Sequence, residues 1–510
     1  MNPKRTTRTF CFHLGDECRD SLITRRILNG LIMIFLIGTA SLTANAQQDT
    51  IPHHKESRVI DSGAHDNLKD KTVVAFRETI TAGRAPWMRL HISDYNLGNR
   101  SYITITSLKD GGFQRLDSKT LPQWGNATAF FTGGAVEIEL HAASGERGVF
   151  VRVGEITIGE YLSEARAREK QRNTFKIQDL CFGDDDRVAS NDPRVGRLFR
   201  LGGCTAWLVS NGALLTAGHC ADIDPDAGGP LPIDGVLDWN ADTVVGFNVP
   251  PSLSDGTAQP PDPNDQYPID LNSVRWEFFG SGISKGRDWA VFRCLPNSTT
   301  LKTPQQVQNA FFRMTDLHPQ EGASIRITGY GLDNTPPGPN PGCDVDGDGN
   351  PNENCNAQSK TQQTASGNYV EEDDDGSAIW HVYHVDTMPG NSGGPIIWEN
   401  NGLTIGIHTN SSCADGPGNS GTSFERPPLE LALQVFPGQN VNYVDKVTVN
   451  ITQNGGIYRP FHFVTDAVNH IQTDVAPGII SIVAGSYNES LTINKRVTLI
   501  APVGKVVIGQ

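Results

Sequence analysis

The chain has 510 residues, with 42 Lys and Arg against 57 Asp and Glu, and a formal net charge of −15. Its length suggests about three domains, and its 53 Gly and 31 Pro favour strands and turns over a low-complexity chain. The acidic balance argues against nucleic acid as a main partner, because phosphate binding needs clustered basic side chains.

The N-terminal segment is typical of a targeting signal. Two arginines precede an apolar run over residues 27–42, and Ala44-Asn45-Ala46 supplies the small-residue pattern of a cleavage site. The run is short for a membrane span, which favours a cleaved signal over a membrane anchor. We therefore expect residues 1–46 to be a signal peptide, no stable membrane span after its removal, and a secreted protein, either extracellular or periplasmic.

Residues 47–160 alternate apolar and polar side chains, as in Val136, Ile138 and Leu140, with glycine-rich turns between the runs. This pattern predicts an antiparallel β-sandwich. Nothing in it is catalytic by type, so an accessory or pro-domain is favoured, with a binding module as the alternative. Residues 161–180 are charged and are interpreted as a linker.

The first motif that carries chemistry is Thr216-Ala217-Gly218-His219-Cys220. Two short apolar runs joined by Asn211-Gly212 lead into it, which is the pattern of a β-hairpin. The hairpin would deliver His219 at a rigid strand end, and a histidine that acts as a general base needs such fixed geometry. Taken alone, His219 fits a buried structural histidine equally well.

The second motif is Asp288, which opens the apolar strand Trp289-Ala290-Val291-Phe292. A carboxylate beside a hydrophobic core is costly unless it is hydrogen-bonded. An aspartate that accepts the Nδ1 proton of a histidine meets that requirement. An ordinary exposed aspartate at a strand start is the alternative.

The third motif is Gly390-Asn391-Ser392-Gly393-Gly394-Pro395, followed by an apolar strand. Glycines on both sides of the serine let the backbone turn sharply, expose the hydroxyl, and direct the amides of Gly390 and Ser392 at one point. An oxyanion hole is built in this way. The alternatives are a glycine-rich turn with a solvated serine, and a nucleophile elbow that leads into a helix.

In this order and context the three motifs resemble those of the trypsin- and chymotrypsin-like serine proteases, over residues 181–438. The resemblance implies a mainly β fold with two six-stranded β-barrels and a triad of His219, Asp288 and Ser392 between them. It implies hydrolysis of peptide bonds in proteins or peptides through an acyl-enzyme, with no cofactor for catalysis. The spacing of Cys204 and Cys220 also matches a disulfide that braces the histidine in this family.

The chain departs from animal trypsins immediately before the serine. Those enzymes carry an aspartate there that pairs with a freed N-terminus on activation, whereas this chain has Asn391. Activation of that kind is therefore not expected. Asn391 and Gly406-Ile407-His408-Thr409 instead resemble the bacterial glutamyl endopeptidases.

The specificity residues point in two directions. Thr387 and His408 fall where glutamyl endopeptidases bind the carboxylate of P1, the substrate residue before the cleaved bond, and both can donate hydrogen bonds to it. Asp386 falls where trypsin places the aspartate that binds a P1 Arg or Lys, and the acidic chain would attract cationic substrates. Cleavage after Glu or Asp is favoured, with trypsin-like Arg or Lys specificity as the alternative.

Residues 439–510 contain short apolar strands that resemble the opening rungs of a pectin-lyase-type right-handed parallel β-helix. Such a fold needs several stacked rungs to bury a core. The segment supplies only two or three, so we expect it either to pack against a neighbour or to continue in a longer chain. Its resemblance implies contact with polysaccharide.

An acidic loop within the protease block matches the start of a calcium-binding loop. Asp344, Asp346 and Asp348 supply carboxylates at alternate positions, and Gly349 follows. We favour structural calcium there over a solvated acidic loop, with Cys343 and Cys355 as a candidate disulfide around it.

The remaining cysteines are less constrained by the sequence. Cys181 and Cys294 are a candidate pair, which would leave Cys413 as the odd cysteine of the mature chain.

A second class of function is open to this sequence. A non-catalytic binding protein on a protease fold would show the same core pattern, with the β-helix-like segment displayed for polysaccharide. The presence of all three triad residue types favours the enzyme.

Calcium binding by the Asp344 loop predicts that a chelator lowers the thermal midpoint and speeds proteolysis of the intact protein. The Asp344→Asn/Asp346→Asn double variant should show the same loss without a chelator. Melting and proteolysis rates that do not change on chelation would contradict this prediction.

Overall fold

The computed structural model describes residues 51–163, 180–181, 185–200, 202–222, 236–279, 285–333, 358–413, 416–448, 452–472 and 477–509. The expected signal peptide, residues 164–179 of the expected linker, and the calcium candidates Asp344, Asp346 and Asp348 lie outside these ranges, as do Cys343 and Cys355. A search of the described ranges finds no helix with the length and apolarity needed to cross a membrane.

The first block of the chain is a sandwich of two four-stranded antiparallel sheets. Its strands are β1 His53–Asp61, β2 Val73–Thr81, β3 Trp87–Asn96, β4 Tyr102–Ser107, β5 Phe113–Asp117, β6 Phe131–Thr132, β7 Ala135–Ala142 and β8 Phe150–Gly159, with helix α1 Thr120–Gln123 before β6. The strand orders are β1-β8-β3-β6 and β2-β7-β4-β5. Val136, Ile138 and Leu140 of β7 are fully buried and the residues between them are not, since one face of the sheet lies in the core.

A seven-stranded antiparallel sheet follows. Its strands are β10 Val195–Arg200, β11 Gly202–Leu208, β12 Leu214–Thr216, β13 Val244–Gly246, β14 Gln266–Pro268, β15 Arg275–Glu277 and β16 Trp289–Phe292. The order is β14-β13-β10-β11-β12-β16-β15, and beyond the strand ends an isolated antiparallel bridge joins Ile269 to Cys294, so in the described residues the sheet curls without a continuous strand ladder between its edges. Here the structure differs from the closed barrel that the family resemblance implies.

The second sheet closes into a barrel. Its strands are β17 Ser324–Gly329, β18 Gln363–Asp374, β19 Ile379–His384, β20 Pro395–Trp398, β21 Leu403–Asn410 and β22 Asn419–Ser423, with β9 Val188–Ala189 added at one edge. The order β17-β20-β21-β22-β19-β18 returns to β17 through a second pairing of β18. A closed barrel and a curled sheet together form the chymotrypsin-like double β-barrel, so the predicted fold class is confirmed.

The sandwich packs on the β10–β13–β14 side of the curled sheet. Phe199, Val244 and Ala258 of that block belong to the same buried apolar cluster as the sandwich core. Across the contact, Phe130 N donates to Gln266 Oε1 at 2.9 Å, and Gln266 Nε2 donates to Phe130 O at 2.8 Å. The two blocks therefore share one core, as domains that fold together do.

Two buried arginines lie at this contact. Arg89 Nη1 donates to Asp242 O at 2.8 Å, and Arg197 Nη2 donates to Gln259 O at 2.8 Å. Burial lowers the pKa of Arg89 to about 10 and that of Arg197 to about 9, so both remain cationic at neutral pH. A buried charge depends on its hydrogen-bond acceptors, and separating the blocks would remove them from Arg89.

The C-terminal block holds short parallel strands against the protease block. Its strands are β23 Val441–Val444, β24 Gly478–Ile482, β25 Gly485–Tyr487, β26 Val497–Ile500 and β27 Val506–Ile508, and helix α4 Val464–His470 lies among them. Helices α2 Pro304–Gln308 and α3 Pro427–Gln434 precede this block. The pairings β23-β24-β26 and β25-β27 are parallel. Val441 and Tyr443 share an apolar cluster with Trp207 and Phe424, so the block does pack against its neighbour.

The cysteine pairing differs from the candidate pairing. Cys181 is joined to Cys413 and Cys204 to Cys220, whereas Cys294 is a buried free thiol. The pairing of Cys181 with Cys294 is therefore wrong, because Cys294 lies inside the core of the curled sheet while Cys181 lies beside the second barrel. Burial raises the pKa of the Cys294 thiol, which makes it unreactive.

The shared core predicts that the sandwich stays bound when the chain is cut within residues 164–179 at an inserted protease site. The two fragments should co-elute in native gel filtration and separate only in denaturant. The substitution Phe130→Ala should lower the free energy of unfolding by about 3–5 kcal/mol, because it opens a cavity at the contact. Exposed Leu68→Ala is the control, and fragments that separate in plain buffer would contradict the prediction.

Candidate active site

Strand register brings His219 and Asp288 together. β12 pairs with β16 so that Thr216 lies opposite Ala290, and continuing that register sets Gly218 opposite Asp288. Gly218 begins a short 3-10 turn that carries His219 off the strand end. A β-carbon at position 218 would lie 2.2 Å from Glu277 O of β15, which is too close, so the turn requires glycine there.

Both oxygens of the Asp288 carboxylate bind His219. His219 Nδ1 lies 2.7 Å from Asp288 Oδ2, and the His219 backbone amide donates to Oδ1 at 2.9 Å. Asp288 is 1% exposed, so the carboxylate is held away from water. An ionised carboxylate only accepts hydrogen bonds, so it keeps the proton on Nδ1 and leaves Nε2 as the basic nitrogen.

His219 Nε2 is buried and has no hydrogen-bond partner among the described residues. The Phe278 ring covers the imidazole at a centroid distance of 5.8 Å. Cys220 Sγ lies 3.9 Å from Ser392 O, so the turn of His219 adjoins the serine. This arrangement leaves one imidazole nitrogen free beside a partly exposed serine.

Ser392 lies in the nucleophile loop, residues 385–394, between β19 and β20. Gly390 has φ +108° and Gly393 has φ +88°, which are conformations that other residues rarely adopt. A side chain at Gly390 would meet Tyr330 O at 2.4 Å. The turn is therefore possible only with glycines on both sides of Ser392.

The amides of Gly390 and Ser392 donate no hydrogen bond to any group in the described part of the chain. Their neighbours are bonded, since Asn391 N donates to Met388 O at 2.9 Å and Gly393 N to His408 O at 2.8 Å. Two free backbone amides on either side of one residue can bind a developing negative charge.

His408 lies in β21, and its Nδ1 is 2.7 Å from the Tyr383 hydroxyl. Burial is the main cause that lowers the pKa of His408 to about 3, with the nearby His219 as a second cause. The imidazole is therefore neutral at ordinary pH. Thr387, which is fully buried, accepts a hydrogen bond of 2.9 Å from Asn419 Nδ2.

Both carboxylate oxygens of Asp386 accept hydrogen bonds from backbone amides. Its Oδ1 accepts from Cys181 N at 2.7 Å and its Oδ2 from Asp186 N at 3.2 Å. The residue is 6% exposed. Its two oxygens are thus occupied by the segment that enters the barrel, whereas the sequence offered it as a binder of cationic side chains.

Two clusters of metal-binding residue types occur in the described part of the chain. Cys204, His219 and Cys220 form one, but its cysteines are joined in a disulfide and offer no thiolate. His318, Glu372 and Glu425 form the other, with ligand atoms within 4.8 Å of one another. The pKa values of Glu372 and Glu425 are both raised, and burial is the main cause.

Sequence reasoning missed two hydroxyl residues that hold the site. Thr205 N donates to Ser392 O and Thr205 Oγ1 to Gly390 O, both at 2.9 Å. Thr422 Oγ1, from the second barrel, donates to Asp288 O at 2.9 Å. A threonine within an apolar strand carries no sequence signal for such a role.

The two sheets, the His219–Asp288 pair and the serine loop define a chymotrypsin-like double β-barrel. A family model for trypsin matches residues 271–422. This part of the chain is therefore similar to a trypsin domain.

Solved serine proteases of this fold are similar to the chain at low identity. A Glu endopeptidase is 19% identical, with 48% of this chain and 93% of that chain covered and a TM-score of 0.30. A thermostable serine protease from an extremophilic microorganism is 15% identical, with 47% and 97% covered and a TM-score of 0.31. Mouse neuropsin is 16% identical, with 46% and 91% covered and a TM-score of 0.28. No curated protein matches the sequence.

Proposed function

We propose that the protein is a secreted serine endopeptidase in which Ser392 is the nucleophile, His219 the general base and Asp288 the residue that orients it. The hydrogen bond of 2.7 Å between His219 Nδ1 and Asp288 Oδ2 carries the proposal. It keeps Nε2 as the basic nitrogen, and the adjoining serine loop carries free backbone amides at Gly390 and Ser392.

The reaction follows from these groups. Ser392 Oγ attacks the scissile carbonyl while His219 Nε2 takes the hydroxyl proton, and Asp288 stabilises the imidazolium that forms. The amides of Gly390 and Ser392 bind the oxygen that becomes negative. His219 returns the proton to the leaving amine, and water then hydrolyses the acyl-enzyme by the same steps in reverse.

Secretion belongs to the same proposal. The disulfides Cys181–Cys413 and Cys204–Cys220 persist in oxidising compartments, and the N-terminal pattern is that of a signal peptide.

We propose cleavage after Glu or Asp. A neutral His408 with Nδ1 bonded to Tyr383 can direct an Nε2–H donor at a carboxylate. Asp386, the residue that would favour a P1 Arg or Lys, has both oxygens bonded to backbone amides. The proposed P1 site therefore offers a donor for an anion, while both oxygens of Asp386 already accept hydrogen bonds.

The proposed mechanism predicts that a fluorophosphonate labels Ser392 once per chain. Ser392→Ala should abolish labelling, and His219→Ala should slow peptide hydrolysis by about 10⁴-fold or more, since the residues act as a unit. Ser366→Ala, an exposed serine in β18, should be labelled like wild type. Intact protein that is neither labelled nor hydrolytic would favour the non-catalytic binding protein.

The proposed specificity predicts that a peptide-library digest shows cuts mainly after Glu and Asp. His408→Ala should lower kcat/KM for a Glu substrate by about 10- to 100-fold, because a hydrogen bond to a charged group contributes about 1.5–3 kcal/mol. Fluorophosphonate labelling of this variant should persist. His462→Ala, in the C-terminal block, is the matched control. A digest dominated by cuts after Lys or Arg would contradict the proposal.

A further inference from the structure

We propose that the strap, residues 180–181 and 185–189, holds the nucleophile loop in its reactive shape and that Arg187 is the positioning residue within it. This inference rests on the proposed serine-protease function. It assigns the support of the oxyanion hole to a segment that precedes both sheets in the chain.

The strap is fixed at both ends. At its start Cys181 is joined by a disulfide to Cys413, which lies 232 residues later in the sequence. At its end Val188 and Ala189 form β9, paired with Thr364 and Gln363 of β18. A segment that is fixed at two points can restrain the position of the residues that it contacts.

Between these points the strap contacts the nucleophile loop at its first residues. Leu180 packs in a small buried cluster with Leu332 and Met388. The amides of Cys181 and Asp186 donate to the two oxygens of Asp386. A carboxylate that accepts two backbone amides is held in one orientation, so the start of the loop is anchored to the strap.

Arg187 contacts the other end of the loop. Its guanidinium is paired with Asp185, with Nη2 at 2.6 Å from Oδ2, and its side chain is 2% exposed. The remaining nitrogen, Nη1, is buried and has no hydrogen-bond partner among the described residues. Burying an N–H group without an acceptor is costly, so its position calls for an explanation.

Gly331 shows where that nitrogen points. The site that a β-carbon of Gly331 would occupy lies 2.6 Å from Arg187 Nη1 and 2.1 Å from Asn391 Oδ1. Both atoms therefore lie over the same α-carbon. Asn391 Oδ1 already accepts from Met388 N at 2.9 Å and has a second lone pair to offer. The guanidinium thus lies against the side chain of the residue that precedes Ser392.

This contact adds to the hydrogen bonds that already hold the loop, in which Thr205 Oγ1 donates to Gly390 O and Leu332 N donates to Pro389 O. Gly390 and Gly393 permit many backbone conformations, and rotation of the peptide before Gly390 would turn one oxyanion donor away. Asn391 is neutral and supplies no ion pair of its own. The Arg187–Asp185 pair places a buried guanidinium beside it.

The test compares two arginines of the same local geometry. Arg194 is paired with Asp192 as Arg187 is with Asp185, with Nη2 also at 2.6 Å from Oδ2, but Arg194 is more exposed and its guanidinium lies over Phe312. Arg187→Met should lower kcat by at least about tenfold with KM changed by less than about threefold, because it acts on the oxyanion hole alone. The affinity for a peptide boronate should fall in parallel. Arg194→Met should match wild type.

Two further variants keep the test decisive. Arg187→Lys should recover part of the lost kcat, because it restores the charge. Gly331→Ala should reproduce the loss of kcat and boronate affinity, because its methyl group separates Arg187 from Asn391, and it serves if Arg187→Met does not fold.

Wild-type kcat and boronate affinity in Arg187→Met and in Gly331→Ala would overturn the inference, as would equal losses in Arg194→Met. Wild-type protein that is not labelled by a fluorophosphonate would instead refute the proposed function. The two failures are therefore distinguishable.

Discussion

The backbone and hydroxyl of one buried threonine tie the two sheets together at the site. Thr205 N and Oγ1 donate to Ser392 O and Gly390 O, its Oγ1 accepts from Tyr330 N, and its carbonyl accepts from Thr216 Oγ1. Thr216 ends the strand that delivers His219. The general base and the nucleophile loop are therefore positioned from the same residue, and any relative movement of the sheets would break several buried hydrogen bonds at once.

The sandwich and the curled sheet belong to one body because they share an apolar core. An open sheet leaves an apolar face exposed unless another element covers it. The sandwich covers it with the core that contains Phe199, and Arg89 of the sandwich donates across the contact to Asp242 O, an acceptor that it keeps only while the blocks stay together. The sandwich thus packs against Phe199 of β10, the strand that pairs with β11 and its Thr205.

The sequence predicted the parts of the structure that follow from local pattern. Strand alternation predicted the sandwich, and the three motifs singled out His219, Asp288 and Ser392. Strand register brings His219 to Asp288, and glycine turns shape the loop that carries Ser392. The pattern could not predict the partner of Cys181, because a disulfide spanning 232 residues depends on tertiary placement. It could not predict the roles of Thr205 and Thr422 either, since each hydroxyl donates to an acceptor that is distant in the sequence.

Asp386 combines a motif position with a structural contact. Its place in the sequence suggests a binder of a cationic P1 side chain, and in the structure its two oxygens accept hydrogen bonds from backbone amides. His408 contributes no opposing charge, because its burial lowers the imidazole pKa to about 3. The proposed preference for an acidic P1 residue thus depends on a neutral donor beside a satisfied carboxylate. The strap that satisfies Asp386 also contacts Asn391, so the specificity pocket and the oxyanion hole are positioned by one segment.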